Sequence, residues 1–419
     1  MLFRKVWSIT MKKMKLAALI TAGALLTSCT SSMNAANLSA GLMVKPAVHT
    51  EVETDAVGDF SLKLFNACYT GDNTLISPMS VLFALGMTSE GAKGDTLSQF
   101  EELFGLERGK LAESINSLRA TLEANESDRN KVKVANSIWF RDYNFEPVQE
   151  FLDRNAELYG ADIFKAPFDS STLSDINNWV SDKTDGMIKK ILDEIPEEAV
   201  MYLVNALSFD CEWSKKYEKA QVRQGEFTCA DGKVKKVDMM HSEESAFLKG
   251  SDFTGFIKYY AGGKYAFAAL LPNEGKTPGQ LLAGLDGKNL NKLLSEPLTD
   301  GTVRAAMPKF ETEYSVELSE VLESLGLTDA FDSSKADFTG LGISPNGNIY
   351  VSRVLHKTFI EVAEAGTRAG AATVVEMSDE CAIEYGKEYS VTLDRPFVYI
   401  IFETTDKTPL FIGTLENPK

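Results

Sequence analysis

The chain has 419 residues, 44% hydrophobic and 10% aromatic, enough for a large core and too apolar for a disordered chain. Its 60 acidic against 43 basic residues give a formal charge of −17, which repels nucleic acid and removes nucleic-acid binding from consideration. No apolar run beyond residue 30 is long enough to span a membrane as a helix.

Residues 1–28 read as an export signal. Arg4, Lys5, Lys12, Lys13 and Lys15 precede the short apolar run "LAALITAGALL", and "LTSC" follows, ending at Cys29. Initiation at Met11 or Met14 fits the same pattern. The stretch "LLTSC" resembles the lipobox of bacterial lipoproteins, which implies lipidation at Cys29 and a protein anchored in the bacterial cell envelope. Removal of residues 1–28 leaves 38 basic against 60 acidic residues, a charge of −22. Residues 29–50 are small and polar and are expected to form a flexible tether. The absence of acidic residues in "TSSMNAAN" favours the periplasmic side of the outer membrane, with the cell surface as the alternative. Residues 51–419 are expected to form one folded domain, monomeric, without internal repeats.

Helical periodicity leads. "DAVGDFSLKLFNACYT" puts Val57, Phe60, Leu64 and Ala67 on one face. "SPMSVLFALGMTSEGA" opens with a serine cap and a proline in the first turn. "TLSDINNWVSDKTDGMIKKIL" reads as a helix broken near Gly186. Strands follow: "EFTCADGKVKKVDMM" is a hairpin around Asp231–Gly232, and "FIKYYAGGKYAFAALLP" another around Gly262–Gly263. "YVSRVLHKTFIEVAE" and "RPFVYIIFETTDKTPLFIGTL" read as strands, with "SVELSEVLESLG" a late helix. Helices first and strands later, without βαβ alternation, indicate an α+β fold.

Catalytic patterns are scarce. There are three histidines: His49, His241 and His356. "HSEES" lacks the second histidine of a zinc-protease helix, "EGKT" lacks the first glycine of a phosphate loop, and no nucleophile elbow occurs. The cysteines Cys68, Cys211, Cys229 and Cys381 have no metal-ligand spacing, and no metal or cofactor is implied. An oxidising compartment would permit a bridge such as Cys211 to Cys229.

The most informative stretch is "EVAEAGTRAGAATVVEM", from Glu361 to Met377. Gly366 and Gly370 make it a poor helix. At strand period, Thr367, Ala369, Ala371, Thr373, Val375 and Met377 share one face, all uncharged and small at first. The other face holds Arg368, Gly370, Ala372, Val374, Glu376 and Ser378. Glu364 to Glu380 would span roughly 50 Å extended, long for a permanent strand. The pattern fits a segment exposed in one state and inserted into a sheet in another.

With this stretch, the chain resembles the serpin family from about residue 51 onward. Nine segments occur in family order: "NTLISPMSVLFALGMTSEGAKGDT", "VANSIWF", "INNWVSDKTDG", "LVNALSFDCEW", "VDMM", "MPKF", "HKTFIEVAEAG", "RPFVYII" and "PLFIGTLENP". The resemblance implies the serpin fold: about nine helices, three β-sheets and an exposed reactive-centre loop, here about residues 364–390. It implies a hinge at Glu364, Gly366, Thr367, Ala369, Gly370, Ala371, Ala372 and Thr373, although Gly370 stands where the family most often has alanine. Ser77, Ser80, Asn205 and His356 match the polar cluster beneath the main sheet, called the shutter. Trp213 and Lys309 match the breach, where the loop enters. Family spacing from Glu364 puts the reactive bond at Glu380–Cys381. The segment before "RPF" is long, so Met377–Ser378 or a bond two to five residues later, towards Tyr385, also fits. The implied partner is a serine, or alternatively a cysteine, endopeptidase trapped as a covalent acyl complex, the chain itself catalysing nothing. A serpin-fold carrier or chaperone is the alternative, against which the small hinge residues argue.

Overall fold

The computed structural model describes residues 33–345, 347–367 and 386–419. Among these are nine α-helices: α1 (Thr54–Cys68), α2 (Pro78–Ser89), α3 (Gly94–Phe104), α4 (Arg108–Asn125), α5 (Gln149–Tyr159), α6 (Ser170–Lys183), α7 (Pro278–Ala283), α8 (Gly287–Ser295) and α9 (Ser319–Ser324).

The strands form three main sheets and a ribbon. The largest sheet runs, in spatial order, β1 (Ala36–Asn37), β5 (Asp162–Ala166), β3 (Asn130–Arg141), β6 (Met201–Glu212), β16 (Gly366–Thr367), β15 (Arg353–Val362) and β13 (Phe310–Glu317). A six-stranded sheet joins β2 (Leu75–Ile76), β19 (Pro409–Leu415), β18 (Phe397–Glu403), β11 (Tyr265–Pro272), β10 (Phe253–Tyr259) and β9 (Ala246–Lys249). The third joins β17 (Lys387–Thr392), β12 (Gly301–Pro308), β8 (Val234–Glu244) and β7 (Val222–Thr228), and the ribbon pairs β14 (Gly342–Ile343) with β4 (Glu146–Pro147).

The α2 helix is the buried spine. All twelve of its residues are buried, so it carries no polar face and packs between sheets. Its start follows from chemistry: the Ser77 side chain accepts a hydrogen bond from the Ser80 amide, and Pro78 occupies the first turn, where no amide is needed. The 222–244 and 253–272 hairpins form as expected, with Gly232, Gly262 and Gly263 at positive φ.

Three expectations are corrected, and a Cys211–Cys229 bridge, which the sequence left open, is absent. The break expected near Gly186 is present, with Asp185 and Gly186 both at positive φ, but α6 already ends at Lys183 and no helix resumes over 187–192. The late helix is shorter than its pattern, since residues 315–317 are drawn into β13 opposite β15. Cys211 and Cys229 are unbridged, as is Cys68. Each is buried as a small apolar group, and burial pushes the Cys68 thiol up to about 12. Finally, the stretch expected to be a tether is laid against the body from Asn34 onward. The amides of Asn34 and Ala35 both donate to Asp175 Oδ2, at 2.8 and 2.9 Å, and β1 extends the large sheet by pairing with β5. An edge strand's unpaired backbone groups supply the reason for docking there.

Candidate functional site

The strand β16 sits between β6 and β15, and its described residues are Gly366 and Thr367. Gly366 pairs with Glu212 and Thr367 with Cys211 on one side, and Thr367 with Val362 on the other, all antiparallel. Five rungs further along, β15 pairs directly with β6 in parallel, from Lys357–Ala206 to Arg353–Tyr202. The large sheet is therefore parted at one end by the first residues of the hinge and closed beyond.

Every residue from Ala363 to Thr367 is held. Trp213 donates twice, from Nε1 to the Ala363 carbonyl at 2.8 Å and from its amide to the Ala365 carbonyl at 2.9 Å. The Tyr217 amide donates to the Glu364 carbonyl at 3.0 Å. The Glu364 side chain meets Lys309 at 2.9 Å. Partial burial pushes the Glu364 carboxyl up, but the hydrogen bond and charge of Lys309 outweigh it and hold the group below the ordinary carboxylate value. With both side chains about a third exposed, the pair contributes at most ~1 kcal/mol.

Thr367 is fully buried, its hydroxyl 2.5 Å from Tyr260 Oη. Tyr260 in turn stacks on Trp213, ring centroids 4.3 Å apart at 14°. Behind them lies buried Lys258, paired with Glu244 at 2.8 Å and 4.4 Å from the Tyr217 ring centre. Gly366 tolerates nothing larger, because a Cβ there would lie 2.1 Å from the Cys211 carbonyl oxygen.

Beneath the closed part of the sheet, Ser77, Ser80, Asn205 and His356 do come together. Asn205 Oδ1 accepts from Ser80 Oγ and lies 3.1 Å from His356 Nδ1, while Asn205 Nδ2 donates to the Ser80 carbonyl and to Asn136 Oδ1. The Ser77 amide donates to His356 Nε2 at 3.1 Å. That nitrogen must be unprotonated, so Nδ1 carries the proton and donates to Asn205. Full burial pulls the His356 pKa down to about 4, keeping the ring neutral near pH 7. The cluster ties β15 and β6 to each other and both to α2.

The structure brings Ser77, Ser80, Asn205 and His356 together and sets Trp213 and Lys309 against Ala363–Glu364; sequence reasoning passed over Asn136, Tyr217, Tyr260 and Lys258. Asn136 had a signal: with Ser137 it is a polar interruption in the apolar run "VANSIWF", and a buried polar residue needs a partner. The hinge positions Ala369, Gly370, Ala371, Ala372 and Thr373 lie outside the described residues, as do Glu380, Cys381 and Cys29.

A family model described as Serpin (serine protease inhibitor) matches residues 55–418. The chain belongs to the serpin family. It is 30% identical over 385 residues to leukocyte elastase inhibitor A of Rattus norvegicus, covering 86% of this chain and 97% of that one. The crystal structure of a thermophilic serpin, tengpin, in its native state is 42% identical, with a TM-score of 0.86 over 91% of this chain and 99% of that one. The latent state of tengpin gives a TM-score of 0.78 at 42% identity, over 89% of this chain and 100% of that one.

Proposed function

We propose that this serpin is a suicide inhibitor of serine endopeptidases, with related cysteine endopeptidases as a second class. The observation that carries the reading is the seating of Gly366 and Thr367 between β6 and β15, with the sheet closed from the Lys357–Ala206 rung onward. The loop has begun to enter the sheet at one end, and small residues stand next in line.

In this reading the target's catalytic serine attacks the carbonyl of Glu380, forming an acyl ester and releasing the amino group of Cys381. The freed strand then inserts between β6 and β15 and carries the bound protease with it before water completes hydrolysis. Glu364 to Thr373 act as hinge, Trp213 and Lys309 guide the loop in, and Ser77, Ser80, Asn205 and His356 exchange their bonds as the sheet opens. Lipidation of Cys29 after removal of residues 1–28 would hold the monomer in the bacterial cell envelope, on the periplasmic side of the outer membrane. An acidic loop, with Glu376, Asp379 and Glu380, disfavours trypsin-like targets and favours a glutamyl-specific protease. Met377–Ser378, or a bond towards Tyr385, would instead suit an elastase- or subtilisin-like one.

The test is incubation with a protease panel followed by denaturing electrophoresis and mass analysis of the released C-terminal fragment. A denaturant-stable complex is expected, with a fragment beginning at Cys381. A fragment beginning elsewhere in 377–386 moves the reactive bond. Cleavage by every protease without any stable complex would refute inhibition and favour a carrier.

A further inference from the structure

The docked segment Asn34–Thr50 changes what an N-terminal anchor does to this protein. It is fixed at both ends and between. Asn34 and Ala35 donate to buried Asp175, Leu38 donates to the Ile163 carbonyl at 2.7 Å, and Ser39 Oγ accepts from Ile163. Further on, Lys45 pairs with Glu157, the Lys45 carbonyl accepts from Arg119 at 3.0 Å, and the Thr50 amide donates to Ser117 Oγ at 2.9 Å. Yet this strap exposes apolar side chains: Met43 is 79% exposed, Val44 55% and Val48 60%. Single exposed apolar residues are ordinary; three within six positions form a patch that wants a cover. The strap also has no acidic residue, in a chain whose mature charge is −22, from 38 basic and 60 acidic residues.

We infer that the strap is a membrane-contact surface, whose occupant is the interfacial region of the bilayer that holds the anchor. The inference rests on the lipid-anchor reading above, and chain length carries it. A free tether of residues 29–50 would have a root-mean-square reach of about 25 Å. From Cys29 to docked Asn34 the chain reaches roughly 18 Å at most, of which the headgroup layer takes about 6 Å. The body is thus held within about 12 Å of the lipid, little more than three residues' length, with the β1–β5 edge nearest and Met43, Val44 and Val48 available to enter the interface.

The experiment uses full-length protein, lipidated in cells and reconstituted in phosphatidylcholine vesicles with brominated acyl chains. Met43→Trp and Val48→Trp supply fluorescent probes at exposed positions. Trp139, Trp179 and Trp213 are buried and give a constant background. Quenching at both probes at least twofold above the parent is expected, with none at Val234→Trp, an exposed control on β8. Inserting twelve Gly-Ser residues after Ser31 should keep the protein on vesicles while reducing the quenching at least twofold. A lipidated, vesicle-bound protein without extra quenching at Met43→Trp and Val48→Trp overturns this inference alone. Failure of Cys29 to take up labelled lipid overturns the anchor reading and this inference with it.

Discussion

Thr367 is the side chain by which the hinge is seated, and the site around it is full. It is fully buried, with its hydroxyl against Tyr260 Oη. Thr367→Arg should therefore cost several kcal/mol on insertion, slowing it more than tenfold against deacylation. The expected outcome is cleaved inhibitor and active protease in place of stable complex, read on a denaturing gel; full complex yield would overturn the insertion argument. His356 makes a second prediction. Its folded pKa of about 4 lies below the unfolded value of about 6.5. The stability this contributes is complete above pH 6.5 and is lost as pH falls towards 4. From pH 7 to 4.5 the parent should lose about 2 kcal/mol more than His356→Gln. Denaturant midpoints of both proteins check this, and equal losses would show that the ring does not titrate with unfolding.

At the scale of elements, Trp213 joins β6 to the hinge. Trp213→Phe keeps an aromatic ring against Tyr260 but removes the donor to Ala363, a loss of about 1 kcal/mol, or fivefold in a local opening equilibrium. Amide exchange at Gly366 and Thr367 should rise by about that factor, and unchanged exchange would mean the bond does not hold the hinge. Legibility in the sequence followed burial. The hinge could be read because an inserted strand must alternate, and the two hairpins because Asp231–Gly232 and Gly262–Gly263 punctuate alternating strands. The central strands β3 and β6 could not. Almost every β6 residue is buried, so both faces are apolar and no period-2 signal survives. The docked strap was invisible for the opposite reason: it is held by backbone amides and by Asp175, which small polar residues do not advertise.

For the whole molecule, β15 pairs directly with β6, and the proposed mechanism requires the large sheet to open there and take up a further strand. Cleavage between Glu376 and Tyr385 by a non-target protease should let the loop insert and raise the melting temperature, the reverse of the usual effect of a nick. An equal or lower temperature after cleavage would favour a fold that does not insert.

If the loop inserts as proposed, the ladder on either side of β16 also counts out its path residue by residue. Thr367 faces Cys211 on β6 and Val362 on β15. Continued antiparallel, the same count brings Thr373 opposite Asn205 on one side and His356 on the other, the two residues now paired with each other. Residues 368–371 come in above the last closed rung, Lys357–Ala206, so the first resistance falls at Ala372 and the main one at Thr373. A wedge that arrives there must part Asn205 from His356 and satisfy what it has orphaned. Threonine brings a hydroxyl to that rung, on the same face as Thr367. Thr373→Val, of nearly equal shape, should leave the early rungs untouched and stall the loop at the His356 rung, so that more of the target escapes. An unaltered yield of complex would mean that the lock opens without help from the strand that passes through it.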